Sequence, residues 1–468
     1  MKTPLLSRRQ FFKLASATSA FCLIPESVLA ATRKPLIVPP LLSNERGRPV
    51  FLTISTAQAT LSNSIINVWG FNGRYLGPTI KLQRGEFAKF SWQNQLPQSL
   101  AISLQGLQTE GELYGDLSRT LKPQQSWAPI VPITQPAGCL YYHACTWKNS
   151  AYQTYRGLAG LCIVEDPKLN VDLPNQYGVT DIPLILQDMQ LSEKGEQIYQ
   201  ADDYHFLGNR LFVNGQENSF FNALTGMIRL RLVNASVSRA YNLHFEDDRS
   251  FKLIARDQGF LPQAVTMKSL HLAPSQRAEI LVDLSQGGNV KLLAGEKQDL
   301  FNRIKDLFDP HILTNHVVVE LRTMGLASAF SSPKHYQFPT DAPSALNSSV
   351  QQTRHILIDT EKATMNGETF DPRRLDIRAR KGTTERWIIQ TTNPTTFCIR
   401  GAKFVVAKQG KDVQPAETTS WRDSVYVAST VELLVRFDER SSNQFPFFYG
   451  SADLPLADAG CLGSLVVE

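Results

Sequence analysis

The apolar positions of this chain fall in short runs, rich in β-branched and aromatic residues and bounded by Gly, Pro or Asn. Runs 50–56, 80–82, 87–92, 228–233, 280–282, 317–321, 387–390 and 431–437 are of this kind. Several alternate apolar with polar, as in Ile228-Arg229-Leu230-Arg231-Leu232. That period of two predicts half-buried strands, one face on a core and the other in solvent. No long amphipathic helix stands out. Many short strands with frequent turn signals predict an all-β chain of sandwiches or barrels.

Two stretches interrupt the pattern. Residues 166–178 are polar and carry Pro and Asn, and 324–350 is rich in Ser, Ala and Pro without clear periodicity. The second reads as a long linker or a strap along the surface. With 468 residues the chain is too long for one ordinary domain. The expected division is a leader at 1–30, a first domain at 31–168, a second at 169–325, a linker at 326–350 and a third at 351–468.

The leader rests on Ser7-Arg8-Arg9-Gln10-Phe11-Phe12-Lys13, a modestly apolar run at 14–24, and small residues at Val28-Leu29-Ala30. Paired Arg8 and Arg9 read as a twin-arginine export signal, with the twin-arginine translocase as partner in transit and the periplasm as destination. The apolar run is about half of the roughly 20 residues a membrane span needs, and no later stretch is long enough.

Composition changes this picture little. Hydrophobic residues make up 42% and charged residues 19%, ordinary for a folded chain. The net charge of +5 falls to +2 once Lys2, Arg8, Arg9, Lys13 and Glu26 leave with the leader. So little charge argues against nucleic acid as the main partner. Cys22 leaves too. Cys139, Cys145, Cys162, Cys398 and Cys461 are odd in number and irregularly spaced, which is no disulfide framework. No Ser/His/Asp arrangement, phosphate loop or Cys-x-x-Cys appears, and no two of the eight histidines stand as His-x-His.

The segment 69–80 (WGFNGRYLGPTI) resembles the opening signature of the multicopper oxidases. Gly157-Leu158-Ala159-Gly160 with 163–166 (IVED) is similar to the end of their first cupredoxin domain. The segments 229–236 (RLRLVNAS) and 272–283 (LAPSQRAEILVD) resemble their second domain, and 382–387 (GTTERW) the start of a third-domain strand. The resemblance implies three cupredoxin-like Greek-key β-sandwiches over nearly the whole mature chain.

The copper motifs can be carried over by position. The first falls on Ser103 and Gln105, the second on His143 and Cys145, and the third on Thr395, Cys398 and Arg400. The last falls on Gly450, Ser451, Ala452, Leu456 and Cys461. Of these twelve positions only His143 keeps the family's residue. A blue-copper site needs two imidazoles and a thiolate, and a trinuclear centre needs many more imidazoles. The expectation is therefore no catalytic residue, no cofactor and no metal. An export leader joined to three cupredoxin-like domains without ligands is similar to a copper-less periplasmic branch of the family. The motifs at 39–42 (PPLL) and 126–130 (SWAPI) also resemble that branch. It is associated with the cell-division machinery and with its stabilisation under stress, which implies divisome proteins at the inner membrane or septum as partners.

Three expectations concern residues facing the vestigial centre. His143, Cys145 and Cys398 form a residual metal site, a Cys145–Cys398 disulfide, or simply buried packing. Arg400 replaces the lost positive charge and pairs with a nearby acid, Asp458 being a candidate, or reaches solvent. Two rival functions remain: a metal-dependent oxidase with altered ligands, and a carrier holding a small molecule or peptide in the emptied cavity. The carrier requires a sizeable apolar pocket between the first and third domains.

Overall fold

The computed structural model describes residues 33–468 apart from 62–63, 170, 202–203, 296–315, 328–335 and 414–415. The leader, with Arg8, Arg9 and Cys22, lies outside the described residues. Six β-sheets form from the short apolar runs, paired face to face into three sandwiches. Helices are minor; Ser150–Tyr155 and Leu454–Ala459, of six residues each, are the longest among the described residues.

In the first sandwich the strand Val50–Leu61 buries Val50, Leu52 and Ile54 and exposes Phe51, the alternation of a one-sided strand. It lies between Phe87–Asn94, parallel, and Ser64–Phe71, antiparallel. The facing sheet orders Leu41–Ser43, Thr79–Gln83, Ala159–Glu165, Gly138–Ala144 and Ile102–Gln105. The third sandwich repeats the plan. Its strands Thr395–Ile399 and Phe447–Ser451 lie side by side, as Ile102–Gln105 and Gly138–Ala144 do in the first. One apolar cluster runs through both sandwiches. Its aromatic bridge is Tyr114 edge-on to Phe447, with centroids 5.7 Å apart. The middle sandwich has its own core. The strand Lys34–Pro35 joins the middle sandwich by pairing with Ser219–Phe220.

Two features depart from the sequence pattern. The run Ile228-Arg229-Leu230-Arg231-Leu232 is not half in solvent; the whole strand Met227–Asn234 is buried. Glu279, on the neighbouring strand Arg277–Asp283, receives Arg229 Nε at 2.7 Å and Arg231 Nη1 at 3.1 Å, and Cys139 Sγ of the first sandwich lies 3.1 Å from it. Asp181 takes the other side of Arg231 at 2.7 Å. Each charge goes under cover with an opposite one, which is how buried charges are tolerated. The stretch 324–350 divides: its first four residues end the strand His316–Ala327, and 328–335 lie outside the described residues. Phe338 stacks on Phe260 of the middle sandwich at 4.6 Å, while the helix Ala342–Ala345 packs on Val405, Trp421 and Leu434 of the third.

Tyr142 shows how tightly the first sandwich closes. Its hydroxyl donates to the Pro78 carbonyl at 2.5 Å. A Cβ on Gly77 would lie 1.8 Å from that hydroxyl oxygen, and one on Gly160 2.1 Å from the ring carbon bearing it. Both neighbours must be glycine for the ring to lie there. Gly160→Ala is expected to destabilise by about 1–3 kcal/mol through overpacking. Urea unfolding followed by tryptophan fluorescence reads this as a lowered midpoint, and an unchanged midpoint contradicts it.

Candidate functional site

The twelve ligand-equivalent positions divide into two groups. Thr395, Ser451, Leu456 and Cys461 lie inside the third sandwich. Thr395 Oγ1 is 3.3 Å from Ser451 Oγ, Leu456 is wholly buried in the core, and Cys461 Sγ rests 3.5 Å from Met365 Sδ. Gly450, at φ +147, lets the backbone pass 2.4 Å from where a Cβ would meet the Cys461 carbonyl. Ala452 is buried and its N–H donates to the Thr396 carbonyl at 2.8 Å.

The second group meets at the seam of the sandwiches. Register sets it there: Ser103 pairs with His143 across strands of the first sandwich, and Cys398 pairs with Gly450 in the third. Between them stands Asp116. It follows Gly115 at φ +87 and itself sits at φ +60, and this double left-handed turn accompanies a carboxylate that is 1% exposed. Arg400 Nη1 donates to Asp116 Oδ1 at 2.9 Å, and Ser103 Oγ donates to Oδ2 at 2.7 Å. Arg400 therefore replaces a positive charge, and its partner is Asp116 rather than Asp458. Asp458 is engaged elsewhere. It accepts from Ser150 N at 3.0 Å, Ser150 Oγ at 2.5 Å and Ala151 N at 2.8 Å, holding the start of the helix Ser150–Tyr155.

Gln105 belongs to a second hub. Its Nε2 donates to Asp423 Oδ1 at 2.7 Å, while its Oε1 accepts from Ser275 Oγ at 2.5 Å. Arg277 Nη1 reaches the same Asp423 oxygen at 2.7 Å, Arg277 Nη2 takes the other, and Gln258 Nε2 adds a bond at 3.1 Å. Arg277 and Asp423 are both wholly buried. A Cβ on Gly106 (φ +93) would lie 2.8 Å from Arg277 Nη2 and 2.9 Å from Asp423 Oδ2, so the tight turn also makes room for the pair. Asp257 completes the network, accepting from Arg277 N at 2.9 Å and from Ser424 Oγ at 2.8 Å. Nearby, Asp453 accepts from Ser238 Oγ at 2.7 Å and contacts His205 Nδ1 at 2.9 Å, joining the loop after Ala452 to the middle sandwich.

His143 is stacked on Tyr141 at 4.6 Å and donates from Nδ1 to the Ala144 carbonyl at 2.8 Å. Burial, with Arg400 adding to it, pushes its imidazole down to about 4, so it is neutral at pH 7. Burial pushes the Cys398 thiol up to about 11, and raises that of Cys145 well above its usual range. All five cysteines in the described residues are free and buried, so Cys145 and Cys398 are not bonded. Among the described residues no three or more His, Cys, Asp or Glu side chains converge as a metal-ligand group. The donor set does not fit copper. The seam holds a guanidinium fixed on a carboxylate, two protonated thiols and one imidazole, and the blue-copper position is packed with Leu456. The hollow lined by Gln105, Tyr141, His143, Ser275 and Arg400 has only about 10 Å³, too small for a carried ligand.

Sequence reasoning placed His143, Cys145, Cys398 and Arg400 at the vestigial centre, with Ser103 and Gln105 at the first motif's ligand positions. It missed Asp116, Asp257, Arg277 and Asp423, the charges that fill it. Arg277 and Glu279 were visible inside the apolar strand Arg277–Asp283, and charges within an otherwise apolar run were the available signal.

Arg400→Met leaves Asp116 buried without its cation. A loss of about 3–5 kcal/mol is expected in urea unfolding. Adding Asp116→Asn should recover much of it, and no recovery would place the damage elsewhere. Asp458 gives a pH signature. Burial outweighs its three hydrogen bonds and raises its carboxyl from 3.8 to about 6. Between these values the folded state keeps a proton that the unfolded chain has released, so stability falls as pH rises through the window. Asp458→Asn should flatten that fall, worth up to about 3 kcal/mol; a profile parallel to the parent between pH 4 and 6 refutes the assignment.

Family models for multicopper oxidases match residues 53–169 and 337–468. The chain is similar over 93% of its length to a solved laccase-like multicopper oxidase, CueO, from Ochrobactrum sp. The match covers 100% of that chain, with 27% identity and a TM-score of 0.85. Cell division protein FtsP of Histophilus somni is 50% identical over 467 residues, 99% of each chain. FtsP of Haemophilus influenzae is 50% identical over 468 residues, covering 99% of this chain and 100% of that one. A multicopper-oxidase fold whose ligand positions hold one paired arginine, small polar residues and packed apolar groups thus matches these proteins end to end, and the chain belongs to the FtsP (SufI/FtsP) family of cell division proteins.

Proposed function

We propose that this protein is a non-enzymatic scaffold that works in the periplasm and stabilises the cell-division machinery under stress. The observation that carries the reading is full-length similarity to proteins named for cell division. The seam supports it, because Arg400–Asp116 and Arg277–Asp423 occupy the ground where an oxidase gathers copper donors. Such a network rigidifies a surface for binding and offers no electron entry. Export by the twin-arginine route, signalled by Arg8 and Arg9, suits a protein whose three sandwiches interlock before they travel. The partners are divisome proteins at the inner membrane or septum, which an exported chain meets on the periplasmic side. No described helix is long and apolar enough to cross a membrane. An altered oxidase would need imidazoles or thiolates where Leu456, Ala452, Gly450 and Arg400 stand, and a carrier in the old cavity would need space that side chains fill.

The test is genetic and biochemical together. A deletion strain grown under osmotic, oxidative and antibiotic stress is expected to filament. The intact gene should restore cell length, and an Arg8→Lys, Arg9→Lys version should not. Crosslinked capture from the periplasm should recover division proteins. Normal cell length under every stress refutes the division role; copper-dependent oxidation of a phenol by the purified protein refutes the non-enzymatic one.

A further inference from the structure

A larger cleft lies outside the vestigial copper region, where the first sandwich, the strap and the third sandwich meet. Its volume is about 610 Å³, within the range of small-molecule sites. The charges in its wall are unequally matched. Arg84 is committed to Asp166 at 2.7 Å and to the Thr134 carbonyl at 3.0 Å. Lys403 is committed to Asp438 at 2.8 Å and lies over the Trp421 ring at 4.5 Å. Two acids are left with weaker compensation. Among the described residues the Asp341 carboxylate accepts the indole N–H of Trp421, at 2.7 Å from Oδ1, and Glu439 has Lys381 at 4.0 Å. Burial raises the Glu439 carboxyl, Asp438 and Glu110 raise it further, and Lys381 and Lys403 oppose them.

A second observation points to a ligand. Gln108, 5% exposed, lines the cleft and spends its amide N–H groups on Gln258 Oε1 at 3.1 Å and the Ala402 carbonyl at 3.4 Å. Its carbonyl Oε1 is buried and finds no partner among the described residues. A buried acceptor without a donor costs free energy that a bound donor recovers. A buried, unpaired acceptor on a lining residue and two wall carboxylates, one of them only loosely held by its lysine, suit a group rich in N–H and positively charged.

We propose that this cleft binds an organic cation with several N–H donors, a guanidinium or alkylammonium group. Gln108 Oε1 accepts one of its protons, and Asp341 and Glu439 supply the charge. Arginine and lysine side chains of a partner polypeptide carry this chemistry, and so do free amines. The cleft is distinct from the vestigial centre, and its occupancy does not depend on the division role.

The test is calorimetric titration of the mature protein with arginine amide, the peptide Gly-Arg-Gly and N-acetylaspartate. Saturable binding of the two cations and none of the anion is expected. Asp341→Asn with Glu439→Gln, both at positions that are not fully buried, should weaken binding on the order of tenfold or more while leaving the unfolding midpoint unchanged. Gln108→Met should weaken it as well. Tighter binding of the peptide assigns the site to a polypeptide, and tighter binding of arginine amide assigns it to a free cation; either result supports the site. No binding of either cation at millimolar concentration overturns the proposal. So does equal affinity for N-acetylaspartate, or an affinity that the double rim variant leaves unchanged.

Discussion

The contact between Arg277 and Asp423 fixes how the three sandwiches sit together. Removing a guanidinium and a carboxylate from water costs several kcal/mol for each ion, and only close geometry with every remaining group satisfied offsets this. Asp423 of the third sandwich meets the condition with two donors from Arg277 of the middle one, one from Gln105 of the first and one from Gln258. Shape complementarity alone lets neighbouring β-sandwiches slide; a buried carboxylate with four directed donors does not. Other seam bonds, such as those from Arg400 to Asp116 and from Ser424 to Asp257, are compatible with this arrangement.

The seam gathers three buried acids, Asp116, Asp257 and Asp423, and their positive partners Arg400 and Arg277 are attached covalently to the chain. A guanidinium offers five N–H donors in a fixed plane and stays charged at any working pH. It therefore fills a space between loops that a small apolar residue would leave to unpaired carboxylates. Burial keeps the stacked His143 ring neutral, and Arg400 beside it adds to the effect.

Much of this was legible in the sequence and part was not. The strands came from period-two alternation, and the plan of three sandwiches from motif resemblance, because both depend on local neighbours. The emptied ligand positions were legible for the same reason: each motif keeps its strand and turn context around the altered residue. Arg229 and Arg231 were misread as solvent-facing, since alternation reports two faces of a strand and says nothing of whether another domain covers the polar one. Asp116 was missed because it lies on a turn with no periodicity, and its role depends on Arg400, which is 284 positions away. Asp458 is the candidate for Arg400 by its proximity in sequence to the old ligand loop, yet its side chain is bonded to Ser150 and Ala151. Long-range polar pairing carries no signature in spacing, whereas apolar burial does.

The distance along the chain between seam partners has a consequence for biosynthesis. Asp116 waits 284 residues for Arg400, Gln105 waits 318 for Asp423, and Ser150 waits 308 for Asp458. The first sandwich can close its apolar layers while the ribosome is still reading the middle one, but its polar edge stays wet until the last strands emerge. Docking is thus a terminal event, and a chain broken off early exposes unpaired carboxylates and the Ser150 helix end. The polar seam therefore closes in the order of synthesis, with the first sandwich's groups made early and their partners Arg400, Asp423 and Asp458 made late.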